Sequence, residues 1–417
     1  MPSSLSTSSG ATWRSVLMHR VVMVAALGYF VDVYDLVLFS IVRIASLRGL
    51  GVAEDQLMVV GVHLLNMQMI GMLVGGLLWG ILGDRYGRVS VLFGSIALYS
   101  LANIANAFVS STEMYGILRL LAGIGLAGEL GAAVTLVSEV LPRETRGYGT
   151  SFVAGFGVSG ALVAVAVAGH FDWRTAYIVG GVMGLLLLVL RLKMAESGMF
   201  AAVADQPSVI KGNFLMLFTQ RDRFTRYLRC ILIGLPIWFV IGILVTFSPE
   251  ICAELGATAG VSAGTGILYT YAGLVVGDLS SGMLSQWWRS RRQVVLLYVL
   301  LAMLSCTIYL NLRGLSPGVY YGVFFILGCC AGYWALCVTI AAEQFGTNLR
   351  ATVATTVPNF IRGSVVLMTM GLTSLRGSFG LVNSAMIVGA GCFAMTCAAL
   401  WHLPESFGKD LDFVERS

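Results

Sequence analysis

The sequence predicts an all-α integral membrane protein, with twelve transmembrane helices in two pseudo-symmetric six-helix bundles. Three observations predict it. Of 417 residues, 57% are hydrophobic and only 11% charged, with a mean hydropathy of +0.85; soluble domains carry about 25% charge. Apolar runs long enough to cross a bilayer recur along the whole chain. A shift of 204 residues lays features of one half on the other. The 50 glycines suit helices that pack closely, because small residues let membrane helices approach.

A helix needs about 20 apolar residues to cross the hydrocarbon core. Runs of that kind lie at 21–43, 57–81, 89–109, 113–138, 149–169, 175–191, 228–249, 264–286, 294–312, 318–341, 352–374 and 380–401. Residues 1–20 form a polar cytoplasmic tail, "MPSSLSTSSGATWR" and the six residues after it. The first run is too long for a signal peptide and lacks a small-residue cleavage site, so it reads as the first span. Residues 192–227 are polar, contain Pro207 and Gly212, and read as a linker between a bundle at 21–191 and one at 228–401. Residues 402–417 are a second polar tail.

Charge sets the orientation. With the N-terminus inside, the cytoplasmic segments hold 19 Lys and Arg and the outer loops four, namely Arg48, Arg174, Arg313 and Arg376. That bias predicts both termini in the cytoplasm and a multi-pass protein of the cell (inner) membrane. Arg43, Arg119 and Arg362 fall in or at the edge of spans. The basic residues are scattered over short loops, which argues against nucleic acid as a partner. The eight cysteines form no CxxC pair and have no histidines at metal spacing, so no cofactor or metal is expected. A monomer in lipid is the expected state.

The repeat places "EVLPRETRG" (Glu139–Gly147) on "EQFGTNLRA" (Glu343–Ala351), and Arg85 and Arg88 on Arg289 and Arg292. Duplicated six-helix halves about an axis along the membrane normal make a transporter with its site at the midplane between them.

These residues resemble the major facilitator superfamily. "GILGDRYGRVS" (Gly80–Ser90) is similar to its G-x-x-x-D-R-x-G-R loop. "RLLAGIGLAGELG" (Arg119–Gly131) is similar to its fourth-helix R-x-x-x-G-x-G motif, and "ExxPxxxRG" stands at 139–147. "LPESFGKDLDFVE" (Leu403–Glu415) is similar to the tail of the bacterial metabolite:proton symporter branch, which includes phosphate and sugar porters. The resemblance implies proton-coupled transport of a solute by alternating access. The family's proton–phosphate symporters share a first-helix pattern like "FVDVYD" and an acid where Glu129 stands. Their seventh-helix acid, four residues after a tryptophan, is Gly242 here, and the tyrosine after the fourth-helix acid is Leu130, which departs from a phosphate site.

Charges inside spans mark function by default. Asp32 and Asp35, in "GYFVDVYDLVLFS", are three apart and share a helix face. At 1.5 Å per residue, Asp35 lies about 10 Å below the outer boundary of a ~30 Å core, and so does Arg119 on the antiparallel fourth helix. Matching depths predict an Asp35–Arg119 ion pair. In the family, the first-helix aspartate and this arginine are partners, and protonation of the acid drives coupling. Glu129 lies about 15 Å deeper than Arg119, with no basic partner evident at its depth. It reads as a second proton site, a substrate-contacting acid or a packing acid satisfied by backbone or water. Which of Asp32, Asp35 and Glu129 carries the proton stays open. By the repeat, Asp35 maps to Phe239, Arg119 to Val323 and Glu129 to Tyr333, so proton chemistry is confined to the first half.

The second half offers Arg362, with Asn359 one turn before it and Pro358 loosening the helix. Its planar fork suits a carboxylate or phosphate. Two roles are open: receiver of an anionic substrate group, or internal partner of Asp278. Asn66 with His63, then Trp238, Tyr333 and Trp334, are further candidates to line the cavity; Gln68 lies off that face. At the loops, Asp84 precedes the third helix and can cap its N–H groups. The resemblance implies a latch in which Asp84, Arg85 and Arg88, with neighbours Glu139, Arg143 and Arg146, hold Glu343 and Arg350 of the other half.

The reading is a proton-coupled symporter that imports a small polar or anionic metabolite, such as an amino acid or organic acid. The alternatives are a proton-driven exporter and an uncoupled facilitator. No nucleophile–base or metal constellation suggests an enzyme.

Overall fold

The computed structural model describes residues 19–141, 146–191, 214–409 and 415. Among the described residues the secondary structure is helical, with no strand. In the first half, α1 is Arg20–Gly49, α2 Leu57–Tyr86 and α3 Arg88–Asn106. Next, α4 runs Thr112–Leu126 and then Glu129–Val140, α5 Arg146–Val158 and then Gly160–His170, and α6 Trp173–Arg191. In the second half, α7 is built in pieces: Arg221–Leu232, Leu235–Trp238, a π-helical stretch Phe239–Val245, and Ser248–Glu254. Then α8 is Ala263–Trp287, α9 Arg291–Asn311, and α10 Pro317–Ala331 followed by Trp334–Glu343.

The last helix, Thr347–Trp401, is 55 residues long. At 1.5 Å per residue that is about 80 Å, far more than one ~30 Å crossing needs. Gly380 breaks it, with φ 76° and ψ 171°, a conformation that a side chain would strain. Residues 347–379 are therefore α11 and 381–401 are α12. Among the described residues eleven helices are long and apolar enough to cross a membrane, and this break supplies the twelfth.

The breaks follow sequence. In α4 the run "GIGLAG" gives way at Ala127–Gly128, and α10 gives way at Gly332–Tyr333, close to the same place after a shift of 204. Small residues also set the helix spacing. A Cβ at Gly71 or Gly75 of α2 would strike the carbonyl oxygens of Leu120 and Ile124 on α4. A Cβ at Gly273 or Gly277 of α8 would strike those of Phe325 and Cys329 on α10. Backbones in such contact gain van der Waals packing in lipid, where no hydrophobic force drives helices together. The two halves meet chiefly where α2 packs on α11 and where α5 packs on α8.

Candidate functional site

A narrow cavity of about 30 Å³ lies between the halves. Its walls are Tyr29, Val33 and Leu36 of α1, Val158 of α5, Ile237, Trp238 and Ile241 of α7, Tyr271, Leu274 and Asp278 of α8, Trp334 of α10 and Arg362 of α11. Ten of these twelve side chains are apolar or aromatic, and among the described residues Arg362 and Asp278 supply the charges on the wall.

Arg362 is 1% exposed. Its guanidinium lies 5.8 Å from the Trp238 ring centre and 5.5 Å from that of Trp334, within cation–π range. Nη1 donates to Asn359 Oδ1 at 3.4 Å, and Nη2 stands 3.8 Å from Asp32 Oδ2. The pair joins the two halves and is long for a hydrogen bond. Neither oxygen of Asp32 has a hydrogen-bond partner, although the residue is fully buried. The alternative partner of Arg362, Asp278, is engaged elsewhere: its Oδ1 accepts the Ala335 N–H at 3.2 Å, at the start of the second segment of α10.

The expected Asp35–Arg119 ion pair is not formed. Arg119 donates instead to Gln68 Oε1 through a short contact, and its guanidinium lies over the rings of Phe39 (5.1 Å) and Tyr177 (5.8 Å). Asp35 faces Gly180 of α6, where a Cβ would collide with its carboxylate. Both Asp35 oxygens lack a hydrogen-bond partner, as do Tyr99, Ser100 and Asn103 side-chain atoms on α3. Depth along two helices fixes one coordinate. The azimuth of each side chain is a second.

Glu129 also departs from expectation, since it has a partner. Arg191, the last residue of α6, reaches it with both terminal nitrogens: Nη1 donates to Oε2 at 2.9 Å and Nη2 to Oε1 through a shorter bond. Nη2 also reaches the Val24 carbonyl at 3.4 Å. The pair is 1% and 0% exposed. Gly28 makes the room, because a Cβ there would strike both side chains. Sequence reading missed this because Arg191 counts as a basic loop residue; its buried stem carries the charge inward.

Other expected contacts fall outside the cavity wall. Tyr333 donates to the Ile233 carbonyl at 3.2 Å and packs on Tyr298, away from the wall. Asn359 donates to the Ala127 and Thr355 carbonyls, and Asn66 accepts from Thr369 at 2.8 Å. His63 is exposed on the outside of the bundle, and Gln68, off its face, is the residue that holds Arg119. Tyr29 and Tyr271 line the cavity and were not singled out by sequence. Tyr29 stands three residues before Asp32, which was the signal available.

Contacts between halves bracket the cavity on both sides. On one side Asp84 Oδ2 accepts the Thr352 N–H at 2.9 Å and the Thr352 hydroxyl, both on α11. α2 continues through Asp84 to Tyr86, and Gly87, the residue before α3, turns the chain with φ 98°. On the other side Arg43 Nη2 donates to Glu250 at 2.7 Å, under the Phe247 ring, and Thr246 donates to Ser40 at 3.2 Å. Arg85 is exposed and Arg350 is buried. Glu343 pairs with Arg291 of its own half at 2.7 Å and accepts from Ser406, which ties it to the tail and not to the facing half. Arg143 and the side chains of Arg88, Glu139 and Arg146 lie outside the described residues.

Residues 23–365 match the family model of the Major Facilitator Superfamily. The chain belongs to that superfamily. The Major Facilitator Superfamily is a family of membrane transporters, not enzymes, and the fold agrees. The chain aligns over 94% of its length with a solved structure of the proton:xylose symporter XylE, with a TM-score of 0.73 at 17% identity and 97% of that chain covered. A metabolite transport protein of Haemophilus influenzae is 28% identical across 93% of this chain and 96% of its own length. The 4-hydroxybenzoate transporter PcaK of Pseudomonas putida is 24% identical across 89% of this chain and 90% of its own.

Proposed function

We propose that this superfamily member is a proton-coupled symporter that imports a small cyclic or aromatic carboxylate. The observation that carries the reading is Arg362, a cation facing an aromatic cavity and held only loosely, 3.8 Å from Asp32. A carboxylate gains most from a planar guanidinium through two parallel hydrogen bonds. Trp238, Trp334, Tyr29 and Tyr271 supply faces on which a ring stacks. A lining so apolar suits a ring better than a zwitterionic amino acid, and that narrows the polar or anionic class expected from sequence.

Coupling follows from competition. Two anions, Asp32 and the substrate, share one guanidinium. When the substrate carboxylate takes Arg362, Asp32 is left buried without a counter-charge, and binding a proton relieves it. Proton and anion are then carried together. Asp35, buried and without a hydrogen-bond partner, is the second carrier candidate, while Glu129 is taken up in a buried pair with Arg191 and serves packing. Arg119, bound to Gln68, positions the first-half cluster. The names of relatives fit the reading: PcaK is a 4-hydroxybenzoate transporter and XylE a proton symporter. By the charge bias, the end carrying Arg20, Arg191, Arg221 and the tail faces the cytoplasm of the inner membrane, where Asp84 and Thr352 form the inner gate and Arg43 and Glu250 the outer one.

Uptake of radiolabelled 4-hydroxybenzoate into proteoliposomes tests it. Uptake should rise with an inward proton gradient and be lost in Arg362→Gln. Uptake indifferent to the gradient, or an Arg362→Gln protein of unchanged affinity, overturns it.

A further inference from the structure

Asp278 is 3% exposed, lies on α8 and lines the cavity. One of its oxygens is used: Oδ1 accepts the Ala335 N–H and so caps the helix segment that restarts at Trp334. Oδ2 has no hydrogen-bond partner. No cation compensates it among the described residues. Arg362, the other charged group on the wall, is within 4 Å of Asp32 and not of Asp278. A buried carboxylate oxygen without a donor is costly, and the cost is relieved by a donor that arrives with the ligand. The indole Nε1 of Trp334, on the same wall, makes no well-formed hydrogen bond and has the Tyr29 hydroxyl as a polar neighbour. A hydroxyl both donates and accepts, so it is the small group that answers an unused acceptor and a donor without a well-formed bond in one cavity.

We propose that Asp278 Oδ2 receives a hydroxyl on the substrate ring, so that the protein selects ring-hydroxylated carboxylates over unsubstituted ones. The inference rests on the reading of Arg362 as the carboxylate receiver and adds a second, chemically opposite pole to the same cavity. One pole is cationic and takes the carboxylate; the other is anionic and takes the hydroxyl. Asp278 thereby couples recognition to the architecture of α10, because the carboxylate that reads the ring also holds the segment that carries Trp334.

The test is competition against labelled 4-hydroxybenzoate uptake in proteoliposomes by benzoate, 3-hydroxybenzoate and 4-hydroxybenzoate, with ligand-induced thermal stabilisation of purified protein as a second measurement. A site that pairs with a hydroxyl should prefer a hydroxylated ring to benzoate by at least about 10-fold. Asp278→Ala should bring that ratio near one, whatever it does to the affinity for benzoate itself. Asp278→Asn keeps an oxygen for the Ala335 N–H but puts a donor where the second acceptor stood, so a stable Asn variant should also lose most of the preference. Equal competition by benzoate and the hydroxybenzoates overturns the inference and leaves the carboxylate reading standing. So do Asp278 variants that weaken all three ligands in the same proportion, which is the signature of a helix cap alone. If none of the three competes, the carboxylate reading falls and this inference with it.

Discussion

The two halves share one helical frame and divide the chemistry between them. A shift of 204 residues carries Asp35 to Phe239, Arg119 to Val323 and Glu129 to Tyr333. In the reverse direction Arg362 falls on Val158, Asp278 on Val74 and Trp334 on Leu130. The first half buries Asp32, Asp35, Arg119, Glu129 and Arg191; the second contributes both tryptophans of the cavity, with Arg362 and Asp278. Symmetry supplies a frame that can rock. Function comes from where the symmetry is broken: the two unequal halves touch through charge at the cavity, in Asp32–Arg362, and again nearer one end, in Arg43–Glu250.

The largest expected effect breaks that division at its seam. Asp32→Asn should abolish uphill uptake driven by a proton gradient while leaving substrate exchange between equal pools, measured in the same liposomes. Exchange and gradient-driven uptake lost together would assign Asp32 to binding instead of coupling. Next is Glu129→Gln, which strands the Arg191 charge. Breaking a buried pair costs about 3–5 kcal/mol, whereas replacing both partners by apolar residues is close to neutral. The single variant should therefore melt well below the wild type, and Glu129→Leu with Arg191→Met should recover most of the difference.

The contrast between Glu129 and Asp35 also shows what sequence could reach. Apolar run length marked all twelve crossings, and the first-helix acids and Arg362 stood out as charges where lipid allows few. Depth arithmetic put Asp35 and Arg119 at one level, but Gln68 and two aromatic rings occupy the arginine. Pairing depends on rotation about each helix axis, which composition does not encode. The Arg191 partner was hidden for a related reason: a side chain several Å long moves its charge away from its backbone position.

A smaller effect is expected at the gate between halves. Glu250→Gln removes the counter-charge of buried Arg43 and should shift the conformational balance toward opening on that side, read as several-fold faster reaction of a reporter cysteine placed at Ser40. Outside the membrane, burial works against the charge of the Glu405 carboxyl, yet the Ser290 hydroxyl and the N–H groups of Phe407, Arg291 and Arg292 hold it below the usual range. A depressed folded-state value contributes stability at neutral pH that is lost as pH falls through it. The tail should therefore loosen in acid, as the pH falls through that depressed value, detected as faster proteolysis near Lys409, and Glu405→Gln should show that sensitivity already at pH 7. The smallest effect belongs to Arg48–Glu54, an exposed pair 57% and 68% accessible. Its removal should leave transport and melting unchanged.

The π-helical stretch of α7 has a consequence for how the halves could move. Its Thr246 N–H bonds to the Ile241 carbonyl, five residues back, so Phe239–Val245 holds one residue more per turn than an ordinary helix needs. Trp238 sits below that stretch, and Thr246 and Glu250, which grip Ser40 and Arg43 of α1, sit above it. Conversion to α geometry would turn everything above by about 100° relative to everything below. A screw-like slip of a single residue would thus link, at opposite ends of seven residues, the ring that faces the cavity and the side chains that clasp α1.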